Sequence, residues 1–193
     1  MTVSHDERVK NSQLLIDAAQ ACNLEDIQRL IPISYPQWRD NAALVWSVNK
    51  NHVEAVKCLA PVSDLNVALG VAAEWRRIEC LQVLLPLASG KDIVFAAGDA
   101  AYEGHMDALQ LLLQYCDPTD QESFPLQMAA VGKREEIVKY LIPISNPSEA
   151  LGDLDNLDHE AAEFLNDILA RQQKATIEQN IVADGHRALV RKI

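Results

Sequence analysis

Residues 159–163 read His-Glu-Ala-Ala-Glu, which begins like the metal-binding helix string H-E-x-x-H. That chemistry needs a second imidazole one turn on, and Glu163 stands there instead, so a solvated helix face is expected rather than a metal site. The thiols are the next candidates. Cys22, Cys58, Cys80 and Cys116 contain no C-x-x-C pair and lie in or beside apolar helical patterns, so buried reduced thiols are expected. Neither Cys58 nor Cys80 has an evident base fixed nearby, which a thiolate nucleophile requires. No G-x-G-x-x-G, P-loop or G-x-S-x-G string occurs. No catalytic residue, cofactor or metal is therefore expected.

The chain of 193 residues is long enough for one domain, and 49% apolar with 23% charged residues can bury a core. Seventeen Lys and Arg against 28 Asp and Glu leave a net charge of -11, which disfavours neutralising phosphates, so nucleic acid is not an expected direct partner. No apolar run approaches the roughly 20 residues of a membrane span, and residues 1–10 contain no signal-like apolar stretch. A cytoplasmic location fits reduced thiols, as does export by a route without a cleavable signal.

Internal similarity is the strongest signal. The string LIPIS occurs at Leu30 to Ser34 and again at Leu141 to Ser145, with relatives at Leu59 to Ser63 and Leu84 to Ala88. Upstream lie small pairs at Ala18-Ala19, Ser47-Val48, Ala72-Ala73, Ala100-Ala101 and Ala129-Ala130. Leu15, Leu44, Leu69, Ala97 and Leu126 are each followed, eight residues on, by Asn23, His52, Arg77, His105 and Arg134. Apolar positions in each second half, such as Val53, Val56, Leu59 and Ala60, fall at helical spacing. The pattern predicts pairs of short antiparallel helices joined by a polar turn, closed by proline and stacked because one pair cannot bury its own apolar face.

These units resemble ankyrin repeats. Asp99 to Leu113 is similar to the family's alanine pair, Gly-His turn and leucine-rich second helix, and Pro125-Leu126 ahead of Met128-Ala129-Ala130 is similar to its TPLHxAA start. The units run 25 to 29 residues against the family's usual 33 or so, and the deficit falls in the connector, predicting short Pro-bounded loops with little or no strand. The fold expected is all-α: a solenoid of stacked ankyrin-like repeats over about 13–146, then a degenerate sixth repeat and helical cap over 147–182. Ala161, Phe164, Leu165, Ile168 and Leu169 would seal the stack. Asp184-Gly185 is expected to end the helix before a loose basic tail, 183–193. The resemblance also implies that His52 and His105 stabilise turns rather than catalyse.

Family geometry implies that the first helices line a groove and the connectors form its rim. Asp17, Trp46, Val71, Asp99 and Met128 then form a ladder, with Trp75 and Tyr102 a turn further along, and Trp38 and Tyr35 offer aromatics in the first connector. Large exposed aromatics at a groove suit partner anchoring, and the competing expectation is ordinary core packing. Connectors carry Asp40, Asp64, Asp92, Asp117, Asp120, Glu122 and Glu149 against Arg39 and Lys91, whereas Lys50, Arg76, Arg77, Lys133 and Arg134 gather at the helix-turn edge.

An acidic rim would steer a basic ligand, and solubility is the bland alternative. The function expected is non-enzymatic protein–protein binding by a chain that is a monomer when free, as an inhibitor or immunity protein against a partner with a basic surface. The alternatives are an effector or scaffold that recruits or masks a host protein and, less favoured, an enzyme in the C-terminal segment.

Overall fold

The computed structural model describes residues 3–190. It is all-helical, with twelve α-helices and no strand among those residues. The helices run in consecutive pairs: α1 (His5–Gln20) with α2 (Leu24–Leu30), α3 (Trp38–Asn49) with α4 (Val53–Leu59), and α5 (Asn66–Glu74) with α6 (Ile78–Leu84). Then follow α7 (Gly90–Glu103) with α8 (Met106–Leu112), α9 (Asp120–Val131) with α10 (Glu135–Leu141), and α11 (Pro147–Leu157) with α12 (His159–Val190).

The turn inside each of the first five pairs uses the same chemistry. Asn23, His52, Arg77, His105 and Arg134 are the N-cap residues of α2, α4, α6, α8 and α10, where the eight-residue interval puts them. The residue before each is left-handed: Cys22 (φ 54), Asn51 (φ 58), Arg76 (φ 52), Gly104 (φ 90) and Lys133 (φ 53). The N-cap amide then reaches back to a carbonyl of the preceding helix, Asn23 to Ala18 (2.9 Å), His52 to Ser47 (2.8 Å) and Arg77 to Ala72 (2.7 Å). These are helix-closing Schellman bonds, which satisfy carbonyls that helix ends otherwise leave open.

The second helix of four pairs runs on into a 3-10 turn, Ile31–Ile33, Ala60–Val62, Leu85–Leu87 and Ile142–Ile144, each with proline at its middle residue. Proline has no N–H to donate and blocks further α-helix, so these connectors stay short. Trimmed, strandless connectors are thus present.

Packing follows chain order. The first helices touch successively, α1 on α3, α3 on α5, α5 on α7, α7 on α9 and α9 on α11, and second helices touch as α2 on α4, α4 on α6, α6 on α8 and α10 on α12. Small residues make this possible: Ala19, Ser47, Ala72, Ala73, Ala100, Ala101, Ala129 and Ala130 are all 0% exposed. Leu15, Leu44, Leu69, Ala97 and Leu126 form the continuous core above them.

Two features differ from the sequence reading. Helix α12 continues across Asp184-Gly185 to Val190, because one glycine inside a helix costs only about 1 kcal/mol against alanine and need not end it. Arg191 and Lys192 lie outside the described residues. The starts of α3 and α9 are left-handed over three consecutive residues, Arg39, Asp40 and Asn41 (φ 51 to 60) and Gln121, Glu122 and Ser123 (φ 52 to 60). Outside glycine that conformation costs roughly 1–2 kcal/mol per residue. Asn41 Oδ1 accepts the Asp64 amide at 2.9 Å, and Ser123 Oγ accepts the Asn146 amide at 2.8 Å, 23 residues on in both cases. Ser12 Oγ receives Tyr35 N–H in the same relation without a left-handed turn.

Candidate functional site

Three of the predicted contact residues converge. Asp99 and Tyr102 on α7 and Met128 on α9 line one depression of about 310 Å3 together with Glu74 on α5 and Glu103 on α7. Asp99 and Glu103 lie four apart on the helix face that also meets α5, which brings Glu74 to them. Gly70 on α5 leaves the room for this: a Cβ there would lie 2.9 Å from Asp99 Oδ2. Partial burial, reinforced by Glu74 and Glu103, raises the Asp99 carboxyl to about 6. The depression thus concentrates three carboxyl groups, Glu74, Asp99 and Glu103.

Met128 also walls a second, larger cleft of about 600 Å3, so the two hollows adjoin along α9. Its apolar part is Phe95, Phe124, Val131 and Leu154, and its polar rim includes Glu122, Asp153 and Asp158. Phe95 and Phe124 pack edge to face with centroids 5.1 Å apart, and Lys91 Nζ sits 5.9 Å from the Phe95 ring centre. Gly98 seats the Phe124 ring, which a Cβ at 98 would strike.

The tryptophans separate into two kinds. Trp46 on α3 and Trp75 at the end of α5 are 41% and 53% exposed, and Tyr102 is 40% exposed, so these three rings remain available. No ring pair joins them among the described residues. Trp38 instead packs half-buried against the core at the start of α3. Tyr35 folds back on α1, with its hydroxyl 3.1 Å from His5 Nδ1 and the Arg8 guanidinium 5.6 Å from its ring centre.

The remaining predicted positions stand apart from the hollows. Asp17 is exposed and accepts from Gln13 Nε2 at 3.1 Å. Asp117 accepts the Thr119 amide at 2.9 Å and its hydroxyl at 2.7 Å, bonds that hold its carboxyl below the usual range and shape the connector before α9. Asp120 is exposed at the first position of α9.

The basic edge is occupied by ties between successive pairs. His52 Nδ1 donates to the Ala19 carbonyl (3.2 Å), Arg77 Nη2 to Asn49 (2.8 Å), His105 Nε2 to Glu74 (3.0 Å) and Arg134 Nε to Tyr102 (2.8 Å). Each joins the N-cap of one second helix to the end of the preceding first helix, where carbonyls lack partners and a cation is favoured. Arg76 pairs with Asp107 (2.9 Å) and Lys133 with Glu160 (3.0 Å).

Burial pushes both Cys80 and Cys116 up to about 11, so neither is a thiolate at neutral pH. Cys80 Sγ donates to Asn51 Oδ1 at 3.3 Å. His159 and Glu163 lie 3.3 Å apart on an exposed helix face. Among the described residues no group of three His, Cys, Asp or Glu side chains is placed to hold a metal ion, and no helix is long and apolar enough to cross a membrane.

The second cleft was not foreseen. Phe95, Phe124 and Asp153 share no local spacing, and only the Pro125-Leu126 string hints that this part of α9 is special. Compared with models of known protein families and with curated proteins, the chain matches none.

Proposed function

We propose that this protein is a non-enzymatic binding module, an ankyrin-like solenoid of stacked helical hairpins whose first-helix face grips a basic surface on a partner protein as an inhibitor or immunity protein does. The observation that carries the reading is the acidic depression of Glu74, Asp99 and Glu103, walled by Tyr102 and Met128 and followed by the aromatic-floored cleft. A lysine or arginine entering it would meet a carboxylate whose ionised form burial and its acidic neighbours make costly, and the cation would offset that cost. The Tyr102 ring adds a face for cation–π contact, and exposed Trp46 and Trp75 supply large rigid anchors of the kind that dominate binding hot spots.

The test is capture from the native cell with intact protein as bait, followed by measurement of the recovered partner's affinity. A partner with a basic contact surface is expected, with Asp99→Asn and the Trp46→Ala/Trp75→Ala pair each weakening binding at least about tenfold while far-UV circular dichroism is unchanged. Full affinity in both variants would remove this face from the contact, and turnover of a substrate by the purified chain would overturn the non-enzymatic reading.

A further inference from the structure

The larger cleft along α9 is rich in acceptors and poor in cations. Glu122, Asp153 and Asp158 stand on its rim, and a neighbouring hollow of about 410 Å3 joins Glu149 to Glu122 and Asp153. None of these four carboxylates enters an ion pair among the described residues. Asp158 Oδ1 accepts the Ala161 amide at 3.1 Å and so caps α12. Lys91, over the Phe95 ring, likewise has no carboxylate partner among the described residues.

An independent observation lies deeper in the cleft. Gln127 lines it and is only 6% exposed. Its Nε2 donates to the Glu122 carbonyl at 2.8 Å, inside the left-handed stretch that opens α9, and this bond fixes the orientation of the amide. Oε1 accepts from no group among the described residues, whereas an enclosed acceptor normally has a donor. The remaining walls, Phe95, Phe124, Met128, Val131 and Leu154, are apolar. A cation with several N–H donors on an apolar stem satisfies the carboxylates, the open amide oxygen and these walls together. Lysine's ammonium is compact and strongly hydrated. Arginine's guanidinium is planar, more weakly hydrated, presents five donors in a fixed fork and lies against aromatic faces.

We propose that this cleft is an arginine-selective subsite, taking an arginine side chain of a basic partner segment with its stem against Phe124 and Met128 and its guanidinium on Gln127 Oε1 and the Glu122 and Asp153 carboxylates. The assignment rests on the protein-binding reading above and names the residue type that one of its hollows selects.

NMR titration of the full chain with acetyl-Gly-Arg-Gly-amide, its lysine counterpart and tetramethylammonium, each to about 50 mM at constant ionic strength, tests it. The arginine peptide is expected to shift the Gln127 side-chain amide and the Met128 methyl saturably. Its dissociation constant should be on the order of 1 mM, at least about tenfold below those of the other two probes. Glu122→Gln/Asp153→Asn should weaken arginine binding at least about tenfold, whereas Lys91→Ala should tighten it about twofold or more by clearing the Phe95 ring. A gain cannot come from unfolding, and circular dichroism checks that the double variant is folded. The proposal is overturned if the arginine peptide gives no saturable shift, if either other probe binds within that tenfold, or if the double substitution leaves binding unchanged. The titration needs no partner, so its failure leaves the protein-binding reading standing. A captured partner indifferent to Asp99→Asn and to Trp46→Ala/Trp75→Ala would instead remove that reading without altering this titration.

Discussion

Arg134 donates from Nε to the carbonyl oxygen of Tyr102 at 2.8 Å, joining the start of α10 to the end of α7. The same tie recurs at each preceding boundary, with histidine and arginine alternating, as His105 to Glu74, Arg77 to Asn49 and His52 to Ala19. What recurs is a polar or cationic donor of sufficient reach, not a residue type. Between stacked hairpins these bonds sit at helix C-termini, where both the open carbonyls and the helix dipole favour them.

Among these donors Arg77 has its Nε buried and unpaired while Nη2 holds Asn49. Arg77→Ala is expected to lower stability by about 1–2 kcal/mol, and Arg77→Lys to recover only part of it, because one ammonium cannot follow the guanidinium's path. Urea unfolding with an unchanged m-value would check this. A loss below the error of the method would show that the tie contributes nothing net.

Glycines at close approaches give a ranking. A Cβ on Gly132 would strike the backbone carbonyl of Tyr102, whereas on Gly98 it would strike the ring of Phe124. Backbone cannot yield without separating α9 from α7, while a ring can swing into the neighbouring cleft. Gly132→Ala should therefore cost more than Gly98→Ala, the second about 1–3 kcal/mol, and Gly98→Ala should also disturb the cleft that Phe124 helps to form. Thermal unfolding of both variants reads the order directly, and a reversed order would contradict it.

The left-handed turn residues give a prediction of opposite sign. Only Gly104 of the five is glycine, and Lys133 holds φ 53 with a Cβ that disfavours it. Lys133→Gly is expected to stabilise by up to about 1 kcal/mol, reduced by the extra freedom glycine gives the unfolded chain. Its pairing with Glu160 is largely solvent-exposed and offsets little. Gly104→Ala should destabilise by a similar amount, measurable by the same urea titration.

Much of this architecture could be read from spacing. The interval from Leu15 to Asn23, repeated five times, locates both a buried core position and the N-cap eight residues later, because helix period and turn length are local properties. Trp46, Trp75 and Tyr102 are exposed as a groove would need, but Trp38, equally aromatic, packs half-buried against the core, and nothing local distinguishes them. The carbonyl ties of His52 and Arg77 depend on where the previous hairpin ends in space. So do the left-handed starts of α3 and α9, since the partner amides lie 23 residues downstream. Asp99 stands out in the sequence by its place in the repeat, but Glu74 comes to it only through the packing of α5 on α7.

Asp99 makes stability and binding respond to pH in opposite ways. Its carboxyl is raised from 3.8 to about 6, first by burial and then by Glu74 and Glu103, so between those values the folded chain holds a proton that the unfolded chain has released. Stability therefore falls as pH rises from about 4 to about 6, and the penalty is fully present at pH 7. Asp99→Asn removes it: the variant should be more stable than wild type at pH 7 and should lose that advantage by pH 4, as denaturation at the two pH values would show. Binding of a basic probe such as oligolysine runs the other way, because the charge that attracts it is lost as Asp99 protonates below about 6. Wild-type affinity should drop between pH 7 and pH 5 by more than that of Asp99→Asn. Parallel pH profiles for the two proteins would mean that this carboxylate neither titrates in that window nor touches the cation.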